Sequence, residues 1–212
     1  MDYIKDPREI EKKSMAIIEE RLRDFPFDPL QKPVIKRVVH TTGDISFAEI
    51  TSFSPGAVEA GIQALQAGAP AYCDVEMVRS GINRKASAEL GVEFRCLIHE
   101  PHVAAEAKRL GTTRAAAAMA EALQAHPRGA IHVIGNAPTA LFVLLEAVKA
   151  GKAKPALIVG TPVGFVGAAE SKEWLREFAL PWITVRGEKG GSTIAASIVN
   201  ALLYAAVSQK EQ

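Results

Sequence analysis

Cysteine is scarce in this chain: two thiols, Cys73 and Cys96, in 212 residues. That excludes a framework built on disulfides. Both lie in apolar stretches, Ala71-Tyr72-Cys73 and Arg95-Cys96-Leu97-Ile98, and read as buried free thiols of a reducing compartment. An excess of either charge is missing too. Lysine and arginine total 25 against 24 acidic residues, a net charge of +1. This argues against nucleic-acid binding through a broad basic surface but leaves room for a local cationic pocket. No unbroken apolar run reaches the roughly 18–20 residues of a membrane span. The opening Met1-Asp2-Tyr3-Ile4-Lys5-Asp6 has none of the apolar core of a secretory signal. A cytoplasmic protein is expected, with neither membrane nor nucleic acid as a partner.

What is present is the composition of a globular protein, 48% hydrophobic and 23% charged, sufficient to bury a core without metal or disulfide. One domain over residues 1–212 is the expectation at this length. Pro7 to Leu22 predicts a helix with Pro7 in its first turn and Ile10, Met15, Ile17, Ile18 and Leu22 as its apolar face. A second helix is predicted from Leu30 to about Thr41, with Asp28 as cap and Gly43 as stop. Beyond it, short apolar or β-branched runs alternate with helical stretches. The runs are Phe47–Phe53, Pro70–Cys73, Val92–Ile98, Ala130–Ile134, Ala156–Val159 and Trp182–Val185. This alternation predicts a three-layer α/β fold, a mostly parallel sheet with helices on both faces, closed by a last helix from Ser192 to Val207.

In such a sheet ligands bind beyond the carboxyl ends of the strands. Three of those ends are rich in glycine and small residues: Gly135-Asn136-Ala137-Pro138-Thr139, Gly160 to Gly167, and Arg186-Gly187-Glu188-Lys189-Gly190-Gly191-Ser192. Each precedes a helix, whose free N–H groups attract anions. Tight turns alone explain any one of them; three together point to a rim for carboxylate or phosphate groups. None is a dinucleotide fingerprint, and no Walker-type Gly-Lys-Ser/Thr follows. His40 ends the second predicted helix. A histidine can donate or accept a proton near neutral pH, but the local sequence alone favours one that merely caps the helix carbonyls. His99 and His102 are separated by Pro101 and lack a third ligand, so no metal site is expected. Structural roles suit His126 and His132.

Read together, Gly135 to Leu141, Pro162 to Lys172, and Arg186-Gly187 with Gly190-Gly191-Ser192 are similar to the signature blocks of the precorrin-8X methylmutase family. So are Tyr3-Ile4 with Ser14, Val39-His40, Gly68-Ala69-Pro70 with Cys73-Asp74-Val75-Glu76-Met77-Val78, and Thr113-Arg114 with Ala115 to Ala117. The resemblance runs from Asp2 to Tyr204. It implies a flavodoxin-like fold and a homodimer with a tetrapyrrole substrate near the subunit interface. The implied reaction is an isomerisation without cofactor. A methyl group on ring C of the macrocycle migrates to the adjacent carbon, giving hydrogenobyrinate, or cobyrinate from a cobalt-bearing substrate. It makes His40 the acid–base residue and Ser14 a substrate contact. For the substrate's fringe of carboxylates, Arg114 and Arg186 are the candidate guanidinium partners, with backbone N–H groups near Asn136, Gly164 and Gly191. The competing readings are a Rossmann-like enzyme for a phosphate ligand, a non-catalytic tetrapyrrole carrier, and a chelatase.

Overall fold

A computed structural model describes residues 3–210; Met1, Asp2, Glu211 and Gln212 lie outside it. The first helix, α1 (Pro7–Arg21), starts where Asp6 Oδ1 accepts the amides of Arg8 at 2.7 Å and Glu9 at 3.4 Å. The second, α2 (Lys32–Thr42), ends on Gly43 at φ 64°, a conformation that glycine adopts without a Cβ penalty. Asp28 forms the turn before α2 rather than its cap: Oδ1 accepts the Leu30 amide at 2.8 Å, and Gln31 occupies the cap position without a side-chain bond.

The segment expected as one strand from Phe47 to Phe53 divides into α3 (Phe47–Ile50) and β1 (Thr51–Phe53). The cause is local. Asp44 Oδ1 accepts the Ser46 amide at 2.8 Å and the Ile45 carbonyl accepts the Ala48 amide, which starts a helical turn that buries Phe47 and Ala48. Next come α4 (Ala57–Gln66), β2 (Ala71–Cys73) and two short helices that the apolar pattern did not reveal, α5 (Glu76–Gly81) and α6 (Arg84–Glu89). Strand β3 is shorter than expected, Phe94–Arg95, because it is an edge strand paired only with β2. The rest follows the predicted alternation: α7 (Pro101–Leu110), α8 (Arg114–Ala125), β4 (Ile131–Ile134), α9 (Pro138–Lys149), β5 (Leu157–Gly160), α10 (Ala168–Arg176), β6 (Trp182–Val185) and α11 (Ser192–Lys210).

The strands lie in the order β1-β6-β5-β4-β2-β3, all parallel except β1, which runs antiparallel to β6. The five parallel strands have the flavodoxin-like order, with its switch point between β2 and β4. Successive strand residues face opposite layers. Ile131, Val133, Leu157, Val159, Ile183 and Val185 pack with α2, α4 and α11, whereas Ile134, Ile158 and Trp182 pack with α8, α9 and α10. Full burial of residues such as Leu141, Leu144 and Leu145 contributes about 1.5–3 kcal/mol each. Helix α11 is long and apolar enough to cross a membrane by length and composition, which the run-counting of the sequence overlooked because polar residues interrupt it. Most of it is buried inside the protein, so its apolarity is that of a core helix.

Candidate active site at the carboxyl edge of the sheet

Val34, Ile35, Val38 and Val39 bury one face of α2, which leaves His40 exposed in the last turn. Helix α1 lies across this end. It is stitched to α2 by Glu19 with Lys32 and with Lys36 at 2.8 Å, and by Glu11 with Arg37 at 3.3 Å. The Lys32 and Lys36 ammonium groups hold the Glu19 carboxyl down at about 2. Between the helices is a cavity of about 210 Å³ lined by Ser14, Ile17, Ile18 and Arg21 of α1 and by Val39, His40, Gly43 and Ile45. Two predicted residues far apart in sequence, Ser14 and His40, thus share one cavity. Arg21 is a lining cation that the sequence reading missed. Its signal was the spacing of seven from Ser14, which puts both on one helix face.

The three glycine loops do come together, and they do so through their own amides. Thr161 N–H donates to Ile134 O at 2.7 Å, Gly191 N–H to Thr161 O at 2.8 Å, and Gly164 N–H to Glu188 O at 3.2 Å. Gly190 lies so close that a Cβ there would stand 2.4 Å from Thr161 O and 2.6 Å from Pro162 O. At the switch point the Asp74 carboxylate accepts the amides of Gly135 (3.0 Å), Asn136 (2.8 Å) and Ala137 (2.7 Å). Burial raises the Asp74 carboxyl above its usual range, against the pull of these donors toward the charged form.

The amides of Asn136, Gly164 and Gly191, read from sequence as donors for a ligand, each have an acceptor within the protein. Among the described residues the Ser192 and Thr193 amides at the start of α11 have no hydrogen-bond partner; Ser192 is buried and Thr193 exposed. Asp74 was missed; its signal was a lone carboxylate just past the apolar Ala71–Cys73 run.

The two arginines fall apart from each other. Arg186 leans to the β1 edge, where its guanidinium donates to Glu49 O at 2.7 Å. Arg114 is exposed at the start of α8, in the layer opposite α2, where Thr113 Oγ1 meets Thr139 Oγ1 at 2.7 Å across the starts of α8 and α9. One chain thus gathers Ser14 and His40 on one side of the sheet edge, and leaves Arg114 on the other. His102 is exposed and paired with Glu121 at 2.8 Å, which raises its pKa, while His99 lies outside α7. Among the described residues no group of three metal-binding side chains occurs.

The most unusual side chain of the rim is Lys172, which is fully buried. Its ammonium donates to Lys189 O at 2.5 Å, and burial pushes its pKa down to about 8. The ammonium of Lys189 in turn reaches Asp44 Oδ2 at 2.9 Å and Ser46 Oγ at 3.0 Å, just past the end of α2. Sequence reasoning placed Lys172 at the end of a family-like block and gave it no role of its own. The helical period from buried Ala168 through Ser171 to Leu175 would have placed it inside.

Comparison with known proteins agrees with this architecture. The family model described as precorrin-8X methylmutase matches residues 9–205. The precorrin-8X methylmutase of Pseudomonas aeruginosa is 47% identical over 206 residues, covering 95% of this chain and 97% of that protein. The cobalt-precorrin-8 methylmutase of Priestia megaterium is 44% identical over 196 residues, 92% of this chain and 87% of its own. A crystal structure of the precorrin-8X methylmutase from Thermus thermophilus superposes with a TM-score of 0.89 at 43% identity, covering 95% of this chain and 97% of that one. The family match, the sequence identities and the fold lead to one conclusion: the chain belongs to the precorrin-8X methylmutase family of isomerases.

Proposed function

We propose that this protein isomerises precorrin-8X or its cobalt-bearing counterpart in cobalamin biosynthesis, with His40 as the acid–base residue. The carrying observation is the cavity that joins His40 to Ser14 beside the rim of loops. In the reaction one carbon–methyl bond on ring C breaks and one forms at the adjacent carbon, so no electrons are gained or lost and no cofactor is required. Protonation of the conjugated ring system by His40 changes the conjugation that the methyl group must cross, and the same proton is returned afterwards. General-acid assistance of this kind contributes about 10²–10⁴-fold; the remainder comes from holding the macrocycle in one orientation. Ser14 is the proposed hydrogen-bond partner of the substrate. Arg114, Arg186 and the loops around Asn136, Gly164 and Gly191 are the proposed surroundings of its carboxylates.

We further infer a homodimer. A cavity of about 210 Å³ is smaller than the roughly 300–1,000 Å³ of sites for drug-sized ligands, and a tetrapyrrole is larger still. Phe165 and Val166, on the loop before α10, are 87% and 89% exposed. Apolar side chains so displayed suit a surface that another chain or the macrocycle covers. A second copy would also bring an Arg114 to a His40 cavity that its own Arg114 does not face. The reading takes the chain 1–212 as one domain working in the cytoplasm, in keeping with its two unpaired cysteines.

Relatives named for the cobalt-free and the cobalt-bearing substrate match at similar identity, so both are tested. The purified protein is incubated anaerobically with each and followed by its visible spectrum. Conversion of either to the corrin product supports the proposal. Tight binding of both without conversion would make the protein a carrier.

A further inference from the structure

We propose that Lys172 is a positioning residue: from beneath two glycine loops it holds the Lys189 carbonyl and supplies a buried positive charge that favours substrate carboxylates at the rim. The inference rests on the methylmutase reading and assigns a part of that site to a residue remote from its surface. Three observations carry it. The first is location. Lys172 comes from α10, directly after the Gly160–Gly167 loop, and its Nζ meets the carbonyl of Lys189 in the Gly187–Gly191 loop at 2.5 Å. Those loops are fastened to each other by the Gly164 and Gly191 amides and by the close approach of Gly190 to Thr161 and Pro162. The ammonium therefore lies under their junction.

The second observation is cost. Lysine is among the residues least often buried, and an ammonium has three N–H donors. Among the described residues one acceptor meets it, Lys189 O, and no carboxylate lies within salt-bridge distance. A methionine would fill the same space without the desolvation of a charge. The fold by itself thus does not account for a cation at this place, whereas a polycarboxylate bound above it does.

The third is continuity. Through Lys189 the same strut reaches Asp44 and Ser46, the residues that follow the His40 helix. One buried ammonium fixes the loop that links the rim to the acid–base residue.

The charged groups acting on Lys172 are Glu173 on α10 and Glu188 in the β6–α11 loop, both of which favour its ammonium form, while burial opposes it. The ammonium of Lys189 is directed away, onto Asp44. With its pKa brought down to about 8 by burial, Lys172 changes charge in the alkaline range. Anionic ligand at the rim favours the ammonium form, and by linkage its binding takes up a proton near the free-state pKa.

The test is calorimetric titration of the wild-type protein with hydrogenobyrinate between pH 7.0 and 9.5, in two buffers of different ionisation enthalpy. The expected result is proton uptake on binding near pH 8 and an affinity that falls roughly tenfold across the range, the order of one charge acting through partly dry protein. Lys172→Met should abolish both effects and raise KM more than it lowers kcat. Binding by the wild type without proton uptake, or uptake that survives in Lys172→Met, would overturn the role of Lys172 and leave the methylmutase reading intact. No binding of hydrogenobyrinate at any pH would overturn that reading, and this inference with it. The wild-type measurement decides the matter even if the variant fails to fold.

Discussion

Helix α1 buries one of its fifteen residues, Ile18, and is tied to α2 through exposed ion pairs from Glu11 and Glu19. The loops of the rim are held in the opposite way, by backbone amides, a buried carboxylate and a buried ammonium. Both regions border the candidate site. Exposed ion pairs contribute little to stability and are screened by salt, whereas buried polar groups are costly to unpair. The side of the proposed acid–base residue is therefore the more weakly fastened, and the side proposed for the carboxylates the more firmly held. Lys189 is the bridge between them, with its carbonyl in the rigid part and its ammonium on Asp44.

The contrast can be broken most forcefully at Asp74. Asp74→Ala leaves the amides of Gly135, Asn136 and Ala137 without an acceptor. A loss of about 3 kcal/mol or more is expected from denaturant unfolding, at the rate of unpaired buried donors. Asp74→Asn keeps an acceptor and should lose clearly less.

Acid should act on the sheet and on α1 at different pH. His132, stacked on Tyr72 at 5.9 Å within the sheet, is buried, and burial followed by the charge of His126 brings its pKa down to about 4. The folded protein thus holds His132 neutral while the unfolded chain takes up a proton below pH 6.5. Stability is whole above about pH 6.5 and falls between 6.5 and 4, by about 3 kcal/mol at pH 4. The depressed Glu19 carboxyl loses its contribution lower down, between about 4.5 and 2. A His132→Phe variant should flatten the first phase of acid unfolding and leave the second.

A smaller effect is expected at Gly190. Its added Cβ in Gly190→Ala would press on the carbonyls of Thr161 and Pro162 and should lower stability by about 1–3 kcal/mol. Smallest is Glu19→Gln, which should shift Tm by no more than about 2 °C yet raise KM, because it frees α1 and the Ser14 that α1 carries. A large drop in Tm here, or none in Asp74→Ala, would reverse the comparison.

The alternation of helix and strand was legible because buried parallel strands such as Ile131–Ile134 and Leu157–Gly160 are continuously apolar. The boundary at Phe47 was not, since an apolar run does not distinguish a buried helical turn from a strand, and the Asp44–Ser46 bond decides it. Helices α5 and α6 are too short, at six residues each, to display a period. In the candidate site, the motif blocks pointed to Ser14 and His40, which line one cavity. Sequence could not tell that the amides of Asn136, Gly164 and Gly191 are already engaged, because their acceptors, Asp74, Glu188 and Thr161, are brought to them only by the fold. Lys172 was quoted within a family-like block but given no role, because its acceptor, Lys189 O, is brought to it only by the fold.

The central claim is that His40 moves the proton for methyl migration. It is tested most directly by single-turnover spectra of wild type and His40→Ala with the substrate that the wild type converts, with binding of product measured alongside. The account predicts product binding within a few-fold of wild type and conversion slowed by about 10²–10⁴. Conversion at the wild-type rate by His40→Ala would contradict it, and the acid would then have to be sought elsewhere in the site.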